Sequence, residues 1–481
     1  MNKDQNKNVA VIGAGAAGLI TVKALLEEGL CPVVFEADAE PLGIWNYKKE
    51  EDEQAAYQSL HTNVTKDIMA LSDFPFDPKL PHYPSWQEVK HYLDNYGRKF
   101  KLYQYIKYES KITKIIYSGH EYILTIDHKG EIREERYKKL VICTGMFNTK
   151  YIPEMPELKD YTGKIIHAVN YKDSTPYKKR KVLVVGIGSS AVDIASDLSE
   201  TGADISVSAR KSSIVIPQFF NFKPFDHHNG KINKFYSNKK LAKKFKKMHQ
   251  EECKRRNIPS DLKEFNLPSF DYDISLNKVV ATERFVNGLS YGKIKGFPGI
   301  QSSSDKQITF TNGSKGEFDT IILATGYDPV LPEMENINLE IIDKIPVSYL
   351  HIFPIDYPNL SFTGRIWVKG GAFPPMEMQA RLISAVYSGR VKLPSYLNMK
   401  ASIEKEISRK EKMKMDYSWV IPVPYMDKIA KMIGAYPGYL YGFSVLKAIL
   451  KGPFRSYQYR LKGEGKDPRA KQHLKQKFRY Q

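Results

Sequence analysis

Three glycines near the start of the chain mark its first chemistry. Gly13, Gly15 and Gly18 follow the apolar run VAVI in the spacing G-x-G-x-x-G, with Ala14, Ala16 and Ala17 filling the gaps. The pattern returns after VLVV as Gly186, Gly188 and Ala191, and the two stretches align without a gap. In such a turn the first glycine permits the sharp reversal and the second lets the backbone approach a pyrophosphate. The third, small residue lets helix and strand pack closely. The helix that follows presents unpaired N–H groups and the positive end of its dipole, which favours an anion. The chemistry on offer is dinucleotide binding, twice. A chain that holds two dinucleotides can pass electrons between them.

The strand that follows each turn tells the two sites apart. The first ends at Glu36, whose carboxylate accepts hydrogen bonds from ribose hydroxyls and repels a 2′-phosphate. That suits FAD or NAD. At the aligned position the second copy has Ala209, then Arg210 and Lys211. Two cations and no carboxylate suit the 2′-phosphate of NADPH. The plainer reading of Arg210 and Lys211 is a solvated strand end.

The elements that must position these residues can be read around them. Each turn sits between a β-branched run and an amphipathic stretch, as a strand–turn–helix unit requires. SWQEVKHYLDNYGRKFKL predicts a helix over 85–102, and strand-like segments fill 105–145. LVICTG and IILATG are two buried strands, each closed by Thr-Gly and then a proline, Pro153 and Pro329. They read as two crossings between domains. The expected fold is therefore α/β, with two Rossmann-like domains. The NADPH-binding domain, 165–323, is inserted into a discontinuous FAD-binding domain, 1–164 and 324–481. A basic, poorly periodic insertion is expected at about 215–300.

Composition removes several classes. The three cysteines, Cys31, Cys143 and Cys253, form no C-x-x-C pair. That excludes a dithiol redox centre, a zinc ribbon and a disulfide framework, and suits a reducing, cytoplasmic setting. The histidines show no metal-ligand spacing, so no metal is expected. No run of 18 apolar residues occurs, and the polar start MNKDQNKN leads straight into a nucleotide-binding strand, not a signal sequence. The net charge is +19, concentrated at 238–256 and from Arg455 to Arg479. Leu241, Phe245 and Met248 fall at helical spacing among lysines, as in a helix lying on an anionic membrane surface. A lysine-rich solvated face is the preferred reading. Nucleic-acid binding has charge behind it and no motif.

Further segments carry a resemblance. The linker Tyr161-Thr-Gly163-Lys-Ile-Ile-His167-Ala-Val-Asn-Tyr171 follows the pattern F-x-G-x-x-x-H-x-x-x-(Y/F), with Tyr for the leading Phe. With LGIWNY, TNVTKDIMALSDFPF, ATGY, PNLSFTG, EMQARLISAVYSGRVKLPS and GPFRSYQYRLKGEGK, it resembles the flavin-containing monooxygenases along nearly the whole chain. These are class B flavoprotein monooxygenases that use FAD and NADPH. The resemblance implies hydride transfer from NADPH to FAD and addition of O2 at flavin C4a. The hydroperoxide then oxygenates a nucleophilic nitrogen or sulfur of a small amine or sulfide. It implies FAD contacts from residues 13–17, Glu36, Ile44 and Trp45, and approach of Gln379 to the flavin ring. Thr62 and Asn63 would stand where flavin and nicotinamide meet, with Asn63 the catalytic polar group. Ser190, Ala191, Val192 and Asp193 would touch NADPH, with Arg210 near its 2′-phosphate. Lys211 departs from the hydroxyl residue frequent there.

Each assignment has a plainer alternative. Trp45 could pack a core, Asn63 could cap the helix after it, and His167 could only tie domains together, the role favoured for it. Among rivals, a Baeyer–Villiger monooxygenase has Trp four residues after the linker histidine, where this chain has Tyr171. A disulfide reductase needs the missing C-x-x-C. A cofactor-binding regulatory protein without turnover, at a membrane surface, would show no oxygen consumption. The substrate and any homo-oligomeric state are not legible.

Overall fold

A computed structural model of the chain describes residues 7–49, 56–228, 238–270, 272, 278–438 and 441–476. Parts of the polar start, of the basic insertion and of the basic tail lie outside the described residues.

Two five-stranded parallel sheets organise the molecule. The first runs Leu360–Phe362, Leu140–Ile142, Asn8–Ile12, Cys31–Phe35, Ile106–Lys107. The second runs Lys164–His167, Thr320–Leu323, Lys181–Val185, Asp204–Ser208, Ile294–Phe297. Parallel strands are covered on both faces, so they read as continuous apolar runs; Val9, Val11, Val182 and Val184 have no solvent exposure. All strands of the second sheet lie in sequence between Leu140–Ile142 and Leu360–Phe362, the fourth and fifth strands of the first. The fold is thus α/β with two Rossmann-like cores, the NADPH-binding domain inserted into a discontinuous FAD-binding domain.

The doubling goes beyond the glycine turns. In each domain an antiparallel meander precedes the Thr-Gly strand: Ser110–Tyr117, Tyr122–His128 and Glu131–Tyr137 in the first, Ile300–Ser304, Gln307–Phe310 and Lys315–Glu317 in the second. The edge strand beside the Thr-Gly strand differs in origin. Leu360–Phe362 follows its fingerprint in the chain, whereas Lys164–His167 precedes its own. The two crossings pair with each other, Thr149–Lys150 antiparallel to Tyr327–Asp328.

The expected helix forms as Trp86–Lys99, started by a capping box in which Ser85 and Glu88 exchange hydrogen bonds. The C-terminal segment is tied down by Arg460, a buried side chain 2.8 Å from Glu377, 3.2 Å from Asp73 and 3.3 Å from Glu27. These carboxylates come from three separate parts of the FAD-binding domain, so one guanidinium gathers them.

The described parts of 215–300 hold more regular structure than the sequence pattern suggests, and the end of the stretch is not an insertion. Ile294–Phe297 is the outer strand of the second sheet, and the helix Arg284–Ser290 packs on the fingerprint helix. Before these, Ile214–Ile216 pairs with Val279–Ala281. The basic stretch is the helix Asn238–Arg256, whose Phe245 is buried against Ile214, Ile216 and Phe220, with Met248 beside it. The apolar stripe thus faces the protein, and lysines such as Lys243 and Lys247 face water. Among the described residues no helix is long and apolar enough to cross a membrane.

Candidate active site

The first turn is built from backbone contacts that exclude side chains. Gly13 has φ +97°, and a Cβ there would lie 2.8 Å from the Cys143 carbonyl oxygen. A Cβ on Gly18 would lie 2.0 Å from the Gly13 carbonyl oxygen, so only glycine lets this helix meet its strand. The helix Ala16–Glu27 begins after Gly15. Glu36 Oε2 accepts the Ala14 N–H at 2.6 Å and Oε1 the Asp38 N–H at 3.0 Å. Burial pushes the Glu36 carboxyl up from its usual range despite these bonds. The next loop folds back on the turn: Leu42 N–H donates to the Ala14 carbonyl at 3.0 Å, and a Cβ on Gly15 would lie 3.8 Å from Gly43 Cα. Ile44 and Trp45 follow in a short 3-10 turn, and the Trp45 ring meets Phe373 edge-on at 6.4 Å.

Gln379 is buried on the helix Phe373–Tyr387. Its Oε1 accepts the Gly364 N–H at 2.9 Å, and its Nε2 donates to the Tyr425 hydroxyl at 2.8 Å. Gly364 in turn abuts Ala17, since a Cβ on it would lie 3.1 Å from the Ala17 Cβ. Residues 13–18, Glu36, Ile44, Trp45 and, through Gly364, Gln379 therefore surround one helix N-terminus.

The second turn repeats the first almost bond for bond. Gly186 N–H donates to the Ser208 carbonyl at 2.9 Å, as Gly13 N–H donates to Phe35 at 2.8 Å. Gly186 has φ +127°, and a Cβ there would lie 2.7 Å from the Ala324 carbonyl oxygen. Around a Cβ on Gly188 there is open space, and Ala191 stands where the first copy needs Gly18. Ala191 and Val192 turn their side chains into the core, while Ser190 is half-buried. Arg210 and Lys211 are exposed and line a cleft of about 550 Å³ with Gly186, Ala209, Tyr151 and Thr325. The strand-end cations and the crossings between domains therefore share one cavity with the glycine turn.

Between the turns lies the segment that carries Thr62 and Asn63. Thr62 is buried, and its hydroxyl oxygen has no hydrogen-bond partner among the described residues. Asn63 does not cap the following helix, Lys66–Met69, which starts after Thr65. Its Nδ2 instead donates to Ser189 Oγ at 3.2 Å, at the start of the second fingerprint helix. Tyr57, nearby in sequence, donates its hydroxyl to Asp193 Oδ2 at 2.7 Å. Asp193 is thus turned toward the FAD-binding domain. Tyr57 and Ser189 carried no signal in the sequence beyond their nearness to named positions.

The linker residues tie domains together. Gly163 is glycine because the Tyr161 ring covers it; a Cβ would lie 2.3 Å from the Tyr161 hydroxyl. His167 Nδ1 accepts the Val169 N–H at 3.2 Å, and its Nε2 lies 3.1 Å from the Gly326 carbonyl oxygen, which it meets as donor. That is the neutral ring, joining the linker to the second crossing. The buried Tyr171 hydroxyl donates to Asp197 on the fingerprint helix. Among the described residues no group of three or more His, Cys, Asp or Glu is disposed to hold a metal ion.

The cradle that admits backbone and no Cβ, the orphaned Thr62 hydroxyl and the cationic cleft all fit two dinucleotides. Fold and site together define a two-dinucleotide flavoprotein oxidoreductase. A family profile described as flavin-binding monooxygenase-like matches residues 6–480, and the chain belongs to that family. It is therefore a monooxygenase that uses FAD and NADPH. It is 30% identical to a rat protein described as dimethylaniline monooxygenase (N-oxide-forming) 2, over 95% of this chain and 89% of that one. It is 29% identical to mouse flavin-containing monooxygenase 5, over 96% and 90% of the two chains. Among solved structures, the S-allyl-L-cysteine S-oxygenase of Allium sativum matches with a TM-score of 0.67 at 24% identity, covering 89% of this chain and 88% of that one. A cyclohexanone monooxygenase matches with 0.66 at 18% identity, over 88% and 97%. These last two likenesses are of fold.

Proposed function

We propose that the chain oxygenates nucleophilic nitrogen or sulfur centres of small molecules, consuming one NADPH, one proton and one O2 and releasing NADP⁺, water and the N- or S-oxide. FAD, when bound, supplies the oxygen activation and NADPH the two electrons. The protein's part is to orient both and to keep water away. In this reading Gly13 to Gly18, Glu36, Ile44, Trp45 and Gln379 serve the FAD. Gly186, Gly188, Ser190 to Asp193, Arg210 and Lys211 serve NADPH, within a domain of about 165–323. Thr62 and Asn63 stand between them. The observation that carries the reading is the bond from Asn63 to Ser189. It joins the end of one nucleotide cradle to the start of the other, where a polar group can hold oxidised nicotinamide while oxygen is transferred.

The choice of nitrogen or sulfur rests on the curated relatives and on Tyr171 in the linker. The test is product analysis, with NADPH and oxygen consumption, on a panel of tertiary amines, sulfides and ketones. N-oxides or S-oxides in amounts matching NADPH are expected. Lactones or esters alone would make it a Baeyer–Villiger enzyme, and hydrogen peroxide alone would end the oxygenase reading. The helix Asn238–Arg256 would meet an anionic membrane through charge only, so any vesicle binding should vanish at high salt.

A further inference from the structure

The insertion reaches across to the segment that carries Thr62 and Asn63, and it does so with a carboxylate. Asp226 Oδ2 accepts the Thr65 N–H at 2.8 Å and the Thr65 hydroxyl at 2.9 Å. Thr65 is two residues from Asn63 and is wholly buried. The Thr65 hydroxyl also lies 3.1 Å from His227 Nε2. Around this point Phe219 packs edge-on against His82 and Tyr83, and the Tyr83 hydroxyl donates to the Gln218 carbonyl at 2.9 Å. Among the described residues, no other side chain of the insertion joins it so directly to the segment between the two cradles.

Asp226 is an expensive way to make a structural contact. Its Oδ1 is shut off from solvent and has no hydrogen-bond partner among the described residues. A buried carboxylate left half satisfied costs stability, where an apolar contact would not. In return, bonds to an ionised acceptor are shorter and stronger than neutral ones, so the Thr65 backbone is held in one place. We propose that Asp226 is a positioning residue for the oxygenation. By gripping Thr65 from the NADPH-binding domain it fixes the Thr62–Asn63 segment against Ser189, and so sets how much NADPH ends in oxygenated product and how much in hydrogen peroxide. This rests on the oxygenase reading above.

The grip is sensitive to pH. Burial pushes the Asp226 carboxyl up to about 6, against the pull of its two bonds from Thr65. Among the described residues, the other charged or titratable groups around it are Asp67 and Lys66 on the next helix, His82 and Tyr83 on the facing loop, His227 and His228 on its own turn, Glu283, and Arg455 from the C-terminal segment. Burial keeps His227 neutral, its ring pushed down to about 3, and lowers His82. Burial also raises Asp67, whose charge raises Asp226 further. The two Thr65 bonds favour the ionised form, so the grip tightens as pH rises through that of Asp226.

The test compares the full-length, FAD-loaded protein with its Asp226→Asn and Thr65→Val variants. Product formed per NADPH oxidised is measured from pH 5.5 to 8, and amide hydrogen exchange is measured over residues 62–69. In the wild type the ratio rises with pH through about 6. Asp226→Asn lowers the ratio and flattens its pH profile, and exchange in 62–69 quickens on the order of tenfold. Thr65→Val, which keeps the backbone bond, shifts both in the same direction by less. A wild-type ratio and pH profile in Asp226→Asn would overturn the proposal. Should that variant not fold, unchanged ratio and exchange in Thr65→Val would overturn it equally. If the wild type forms no oxygenated product at all, it is the oxygenase reading that has failed, and the exchange comparison still decides whether Asp226 holds the segment.

Discussion

The two glycine turns share a backbone and differ in what surrounds it. Both have a first glycine at positive φ, pressed on the carbonyl of a Thr-Gly strand, Cys143 in one and Ala324 in the other. Both take the same hydrogen bond from the neighbouring strand. The first turn is closed: Gly18 is jammed against Gly13, Glu36 grips Ala14, and Leu42 to Trp45 fold over it. The second is open, with Ala191 tolerated, free space about Gly188 and a cleft edged by Arg210 and Lys211. A tightly held cofactor that never leaves suits a closed cradle, and one exchanged at every turnover suits an open one. In the proposed assignment of FAD and NADPH, the same scaffold serves residence in one copy and traffic in the other.

The sharpest way to break this comparison is to exchange the third small residue. Gly18→Ala would bring its Cβ to 2.0 Å from the Gly13 carbonyl oxygen, forcing helix from strand. A destabilisation of about 3 kcal/mol and loss of bound FAD are expected, read by thermal melting and the 450 nm absorbance. Ala191→Gly should keep NADPH affinity and cost only about 1 kcal/mol. Equal effects in both turns would refute the closed-versus-open distinction.

Next in size is the residue between the cradles. Asn63→Ala should retain FAD and hydride transfer but lower product formation on the order of a hundredfold, with peroxide replacing product. Oxygenation at the native rate would show that Asn63 is not the polar group required. On the open side, Arg210→Ala should raise KM for NADPH about thirtyfold, the worth of ~2 kcal/mol, with kcat and the KM for NADH unchanged. A matching loss with NADH would mean that Arg210 serves something other than the 2′-phosphate.

The smallest effect concerns Glu36. Its carboxyl is raised in the fold, chiefly by burial, so it binds protons more readily there than in the unfolded chain. Its contribution to stability is therefore present below its unfolded value and lost as pH rises through the folded one. Thermal melts of the FAD-free protein should show wild type losing ground to Glu36→Gln across that acid window. Parallel melting curves would mean the carboxylate is better solvated than the fold implies.

What the sequence made legible were positions where backbone geometry admits few residue types at short, fixed spacing. The glycine turns, the strand ends at Glu36 and Ala209, and the Thr-Gly crossings belong here, as does the linking role favoured for His167. What it hid depends on partners far away in the chain. Ile294–Phe297 looks like part of an irregular insertion because its neighbour in the sheet is Asp204–Ser208. Phe245 among lysines leaves a membrane-facing stripe open beside the preferred solvated face, because Ile214 and Phe220, which lie beneath it, are distant in the chain. A helix cap stands as a rival reading of Asn63 because its actual partner, Ser189, belongs to another domain. Asp226 announces itself by no motif at all.

The origin of the edge strands has a consequence for how the chain comes together during synthesis. The sheet of the inserted domain is drawn entirely from Lys164 to Leu323, an unbroken stretch. The sheet of the outer domain cannot close until Leu360–Phe362 has been made, and its core also needs the helix Phe373–Tyr387. Domains fold as units while the chain emerges, and distant pairings are slow. The inserted domain can thus be complete while the fingerprint made first still waits, its strands exposed, for the last quarter of the chain. For the FAD cradle, being first in sequence means being last to close.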